Sequence, residues 1–157
     1  MKLLHLLLLF FMINSFAFGQ QQKFSGLYFE LAGSGGVGSF NFEKSFYVQE
    51  KVNYTWSTGL SLAPIDRNNG AGIVFPLMAH ANIGKNAHKL ELGLGQGITV
   101  TTKGSFFMLT TAVVGYRYQS PSKKWYYRIG YTPLISYLID FQVQHWGGLS
   151  IGYTLKN

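Results

Sequence analysis

From about residue 25 to the C-terminus, bulky apolar residues alternate with small or polar ones in short runs separated by turn formers. Successive side chains of a strand point to opposite faces, so this alternation predicts strands with one apolar and one polar face. In the first run Leu27, Phe29 and Leu31 oppose Tyr28, Glu30 and Ala32, and Gly33 to Gly36 reads as a tight turn. In the second, Phe40, Phe42 and Phe46 oppose Asn41, Glu43 and Ser45, with a turn at Gln49-Glu50-Lys51. The third sets Val52, Tyr54, Trp56, Leu60 and Leu62 against Asn53, Thr55, Ser57, Gly59 and Ser61, and ends in a loop expected over Pro64–Gly70. The fourth has Ile73, Phe75, Leu77, Ala79 and Ile83 against His80 and Asn82; Pro76 inside it is awkward for a central strand, because it lacks an N–H for the ladder.

After a turn at Gly84-Lys85-Asn86, the fifth run is the most regular, with Leu90, Leu92, Leu94, Ile98 and Val100 opposing Lys89, Glu91, Gly93, Gly95, Gly97 and Thr99. Thr102-Lys103-Gly104 closes a hairpin to the sixth, where Phe106, Met108, Ala112, Val114, Tyr116 and Tyr118 oppose Thr111, Gly115, Arg117 and Gln119. Beyond Ser120-Pro121-Ser122, Trp125, Tyr127, Ile129 and Tyr131 oppose Tyr126, Arg128, Gly130 and Thr132. A loop is expected near Asp140, and then Leu149, Ile151, Tyr153 and Leu155 oppose Ser150, Gly152, Thr154 and Lys156. The count is about eight strands, with no helical periodicity and no second domain.

Which face meets water decides the fold. A soluble up-and-down barrel of lipocalin type buries its apolar face. Here that face is too bulky for the narrow interior of an eight-stranded barrel, and the glycine-rich face is too slight to be a solvated exterior. Turning the apolar face toward lipid and the polar face inward resolves both problems. The expected fold is therefore all-β: an eight-stranded antiparallel up-and-down transmembrane β-barrel. Eight strands of roughly 11 residues use about 88 residues, and the remainder covers the turns.

Composition agrees. Only 12% of residues are charged, 17% are aromatic and 19 are glycine; the charged share is about half that of a typical soluble domain. Residues 1–19 read as a secretory signal peptide: Lys2 gives a positive start, Leu3–Ile13 is apolar apart from His5, and Ala17-Phe18-Gly19 places small residues at −3 and −1 of a cleavage site. Residues 20–157 are then the barrel, exported by that signal to the cell outer membrane. The formal net charge is +7. Scattered turn lysines explain it, and contact with anionic lipid head groups is the sharper alternative; nucleic acid is not expected, because the basic residues form no patch. With no cysteine there is no disulfide or thiolate metal site.

Two constellations stand out. Residues facing each other across an antiparallel hairpin have positions that sum to a constant. Reflection across successive turns links Glu30 to Glu43, Glu43 to Ser57, Ser57 to His80, His80 to Glu91, Glu91 to Arg117 and Arg117 to Arg128. Glu30, Glu43, His80, Glu91, Arg117 and Arg128 are thus expected along one tilted band inside the barrel. Charges in a narrow, partly dry lumen need partners, and three carboxylates against two guanidiniums and a histidine nearly balance. Tyr54, Tyr116, Tyr118, Trp125, Tyr127 and Tyr153 point outward near strand ends and fit an interfacial aromatic girdle.

Enzymatic signals are thin. Deacylase barrels use His and Ser close together on one strand for acyl transfer, whereas Trp146-Gly147 follows His145 and Ala81-Asn82 follows His80. No acidic residue is obviously placed to orient either histidine. Gly33-Ser34-Gly35-Gly36 lacks the lysine and helix of a phosphate loop. No catalytic residue, metal or cofactor is expected.

Glu91-Leu92-Gly93-Leu94-Gly95, Gly115-Tyr116-Arg117-Tyr118-Gln119, Arg128-Ile129-Gly130-Tyr131-Thr132-Pro133-Leu134 and Gly148-Leu149-Ser150-Ile151-Gly152-Tyr153 together resemble small outer-membrane barrels of Bacteroidota, similar in architecture to the OmpX and OmpA-barrel type. The resemblance implies a place in outer-membrane lipid and insertion by the barrel-assembly machinery. Gly148, Ile151 and Tyr153 match the last-strand signal read by that machinery, although the chain ends in Lys156-Asn157 rather than an aromatic residue. Fold does not fix function. The expected role is structural or interactive, a filled polar lumen in the envelope with another envelope protein as a possible partner. A narrow channel for ions or small solutes and a lipid-modifying enzyme are the alternatives.

Overall fold

The computed structural model describes residues 23–67, 70–136 and 141–156. The signal peptide expected over residues 1–19 lies outside them. Ten strand segments form: β1 Ser25–Leu31, β2 Gly38–Gln49, β3 Val52–Asp66, β4 Gly70–Ile83, β5 His88–Thr101, β6 Phe106–Gln119, β7 Trp125–Tyr131, β8 Leu134–Ser136, β9 Gln142–Gln144 and β10 Gly147–Lys156. All pairings are antiparallel, each hairpin joins sequence neighbours, and β10 pairs with both β7 and β1, so the sheet closes. β8 continues the line of β7 along β6, and β9 pairs with β8 before β10 begins. The ring therefore has eight strands, an antiparallel closed β-barrel, and there is no helix among the described residues.

The period-two pattern sets the faces. Leu31, Phe40, Leu62, Leu77, Leu94, Ile129 and Leu149 are exposed on the outer wall, while Glu30, Asn41, Ser61, Met78, Glu91, Arg128 and Ser150 are buried inside. Pro76 is buried in β4 opposite Gly97 of β5. Toward β3 the paired positions lapse between Thr58↔Leu77 and Ser61↔Val74, and no pairing forms at Phe75 or Pro76. A proline has no N–H to donate, and placing it at this gap lets the strand continue without an orphaned partner. Gly59 lies in the same gap on β3, where a Cβ would collide with Asn41 Oδ1 and the Phe40 carbonyl.

One expectation about loops is corrected. Pro64–Asp66 belongs to β3, with Pro64 opposite Ala71 and a bulge before Asp66; at an irregular strand end, proline costs no ladder bond. The loop expected near Asp140 lies outside the described residues; on either side of it Leu134, Ile135 and Ser136 pair with Gln144, Val143 and Gln142. The β7-to-β10 connection thus carries a short two-stranded ribbon, β8 with β9, whose first strand lies along β6 at Thr110 and Thr111.

Candidate functional site in the barrel lumen

The closed wall turns Glu30, Glu43, His80, Glu91, Arg117 and Arg128 inward, and each is at most 6% exposed. Only two of the reflected pairs stand directly opposite: Glu43 faces Ser57, and Arg117 faces Arg128. Glu30 lies opposite Ser39, because the β1–β2 turn closes at residues 32–37, with Ala32 N–H donating to the Val37 carbonyl. His80 lies opposite Thr55 and Gly93, and Glu91 opposite Asn82 and Gly115. His80 and Glu91 are offset by two residues from their expected partners and Glu30 by four, even shifts that keep every side chain on the same face. The long side chains bridge the offset.

Two ionic layers result. Nearer the chain termini, Arg117 Nη1 lies 2.7 Å from Glu43 Oε1, and its guanidinium is held between the Tyr126 and Phe24 rings at 4.4 and 5.1 Å. The same carboxylate accepts from Thr55 Oγ1 at 2.6 Å and from the Tyr126 hydroxyl at 3.3 Å. Asn82 Nδ2 donates to Thr55 Oγ1 at 3.3 Å, and Arg117 Nε donates to Gln119 Oε1 at 3.1 Å. In the next layer Arg128 grips both oxygens of Glu91, Nη2 at 2.6 Å and Nε at 2.9 Å, while its guanidinium covers the Tyr28 ring at 4.4 Å. A bidentate fork fixes both orientation and distance. Glu30 sits further toward the loops and bonds locally, accepting from the Ser34 amide at 3.1 Å, Ser34 Oγ at 2.8 Å and Ser150 Oγ at 3.4 Å. It joins neither arginine layer.

His80 connects two strands' worth of chemistry. Its Nε2 is 2.9 Å from Ser57 Oγ, and its Nδ1 is 2.9 Å from Glu91 Oε1. Tyr28 donates its hydroxyl to Ser57 at 3.1 Å. The order serine, histidine, carboxylate matches a hydrolytic triad in connectivity, and it shows that an acidic residue does orient His80. The surroundings do not match. Ser57, His80 and Glu91 are each at most 3% exposed, and Glu91 is already committed to Arg128. The cavity beside Glu91, lined also by Glu30, Arg128 and Ser150, holds only about 10 Å³, scarcely one water. The chain of bonds links strands β1, β3, β4, β5 and β7.

The six outward aromatics all lie toward the end that carries the termini. Trp125 packs edge-on against Tyr153 at 5.2 Å, Tyr118 stands opposite Tyr127, and Tyr54 lies against Phe46 and Tyr47. His88 joins them, its Nδ1 2.5 Å from the Tyr116 hydroxyl and its ring 5.4 Å from that of Tyr118. Sequence reasoning missed Tyr126, Tyr28, Thr55 and Asn82 as members of the lumen network, although all fall on the polar face of the alternation; Ser57 it placed only as a link between Glu43 and His80. It also missed Tyr131 and His145, which stack and share a hydrogen bond at the opposite rim.

A closed ring of this size has structural counterparts. The chain resembles the N-terminal β-barrel domain of Pseudomonas aeruginosa OprF, with a TM-score of 0.58 and 11% identity over 88% of this chain and 100% of that one. It resembles equally the Yersinia pestis outer membrane protein Ail in a phospholipid bilayer nanodisc, with a TM-score of 0.57 and 12% identity over 87% and 100%. The chain has the fold of these barrels. Neither a protein-family model nor a curated protein sequence matches it.

Proposed function

We propose that this chain is an integral β-barrel of the bacterial outer membrane, with a filled polar lumen and a structural or interaction role in the cell envelope. The observation that carries the proposal is the inversion of the barrel: charge pairs inside, large apolar side chains outside. Exposed residues such as Phe40 at 73%, Leu62 at 66% and Leu94 at 63% would form an apolar surface far beyond what a soluble monomer tolerates. Lipid hydrocarbon is the solvent that suits them. The fold shared with OprF and Ail supports this setting, and the resemblance to Bacteroidota barrels supports the same kinship.

On this reading residues 1–19 direct export, the barrel-assembly machinery inserts the chain, and outer-membrane lipid surrounds it. The turns at the terminal end are short, at residues 50–51, 84–87 and 120–124, whereas the connection from β7 to β10 is the longest. Short turns face the periplasm in such barrels, so the termini do too. The cross-lumen pairs Glu43–Arg117 and Glu91–Arg128 favour a plug over a pore, and the role is non-enzymatic, with another envelope protein as partner. Membrane fractionation tests the location. Planar-bilayer recording tests the plug: no steady conductance is expected, and reproducible single-channel steps would establish the narrow channel instead.

A further inference from the structure

The mature part's excess positive charge is not spread evenly. The lumen holds three carboxylates, Glu30, Glu43 and Glu91, against Arg117 and Arg128. Among the described residues the loop end has Arg67 and Lys103, with Asp66 beside Arg67 at the end of β3. The terminal end gathers Lys23, Lys51, Lys85, Lys89, Lys123 and Lys124 against Glu50 alone. Three turns carry Lys51, Lys85, Lys123 and Lys124, and the lead-in to β1 and the start of β5 add Lys23 and Lys89, an assembly that their spacing in the sequence hides.

They also surround a space. At the terminal end the lumen opens into a vestibule of about 430 Å³ walled by the β2–β3, β4–β5 and β6–β7 turns. Lys51, Lys85, Lys89 and Lys123 line it, and Glu50 is the single carboxylate among its lining residues. This volume suits a small ligand. The floor is polar. Lys89 Nζ and Arg117 Nε both donate to Gln119 Oε1, which lines the space, at 3.4 and 3.1 Å. Arg117 is fully buried just beneath, and its Nη2 has no hydrogen-bond partner. At the wall, Asn53 Oδ1 is a buried acceptor without a partner.

We propose that this vestibule binds a phosphate-bearing ligand. Clustered lysines repel one another when the space holds only water, and a multiply charged oxyanion relieves that repulsion at several contacts at once. Phosphate suits ammonium donors as a set of point charges. A monohydrogen phosphate also carries the hydroxyl that Asn53 Oδ1 lacks. The site opens along the barrel axis and not through the lipid-facing wall. The phosphate therefore comes from a soluble phosphorylated solute or from a lipid head group folded over the rim. The inference rests on the outer-membrane reading only for which compartment supplies the ligand.

The test uses the full barrel in nanodiscs and reads backbone amide shifts by NMR at low salt. In phosphatidylcholine nanodiscs, titration with inorganic pyrophosphate is expected to shift amides of residues 85–89 and 119–123 saturably. The triple variant Lys85→Gln/Lys89→Gln/Lys123→Gln should weaken that binding by about tenfold, about twofold per lysine, whereas Lys103→Gln at the loop end should leave it unchanged. If a lipid head group is the source, phosphatidylglycerol nanodiscs shift the same amides without pyrophosphate, and the triple variant abolishes the difference. The spectrum itself reports whether each variant is folded. Absence of a saturable shift with either source, or a shift that persists in the triple variant, would overturn the proposal. Fractionation away from the outer membrane would overturn the location and leave the binding result standing.

Discussion

Replacing Arg117 with methionine keeps most of the side chain's bulk and removes its charge. In the lumen that leaves Glu43, which is 0% exposed, with only Thr55 at 2.6 Å and Tyr126 at 3.3 Å. The lost attraction is about 4 kcal/mol for charges some 4 Å apart at an effective dielectric near 20. The stacking of the guanidinium on Tyr126 and Phe24 adds about 0.5–2 kcal/mol. Removing the cost of burying Arg117 itself offsets part of this. The expected net loss is about 3–5 kcal/mol, the usual consequence of stranding one member of a buried ion pair. Urea unfolding of the barrel in lipid, followed by the fluorescence of its 3 tryptophans, measures it. Arg117→Met/Glu43→Gln should lose less than the sum of the two single variants, by at least about 1.5 kcal/mol. A single-variant loss below about 1 kcal/mol, together with additivity within about 0.5 kcal/mol, would refute the claim that this pair ties the lumen together.

Other substitutions probe the remaining layers by the same unfolding assay. A Cβ at Gly152 would drive into the Tyr126 ring, so Gly152→Val should destabilise the barrel by about 1–3 kcal/mol; an unchanged urea midpoint would contradict the packing. Ala32 holds φ at 54° in the β1–β2 turn, so Ala32→Gly should be neutral or stabilising by up to about 1 kcal/mol, whereas a loss would show that the turn needs the methyl group. Leu94 lies at the middle of β5 and faces outward. Leu94→Arg should cost about 2–4 kcal/mol in a bilayer if this face meets lipid, and a neutral result would place it in water.

The faces were legible in the sequence because period two leaves no ambiguity: a slip of one residue would bury Leu92 and Leu94 and expose Glu91. Registers were less so. Slips of two residues preserve the faces, and only the turn backbone decides among them. At the β1–β2 turn the positive φ of Ala32, Gly33 and Gly36 moved Glu30 opposite Ser39 and out of reach of Glu43. The contacts of His80 with Ser57 and Glu91 were not readable from cross-strand reflection, since they run diagonally through side-chain reach. Tyr126 was placed correctly on the inner face, but nothing local marks it as the ring on which Arg117 rests. The β8–β9 ribbon escaped notice because Leu134-Ile135-Ser136 and Gln142-Val143-Gln144 are too short to establish a period. The basic vestibule was invisible for a different reason: its lysines are scattered in the chain and meet only when the barrel closes.

The central claim is an outer wall that meets lipid and an inner wall that does not. Because the chain has no cysteine, single cysteines can be placed along β5 and spin-labelled without background. In bilayers, labels at Leu90, Leu92, Leu94 and Ile98 should be accessible to dissolved oxygen and shielded from a water-soluble relaxation agent. Labels at Lys89, Gly97 and Thr101, inward positions that already carry a side chain or where a Cβ would meet nothing closer than 3.5 Å, should be screened from the lipid, giving a period of two residues. Uniform accessibility to the water-soluble agent along β5, or the opposite phase, would contradict the account.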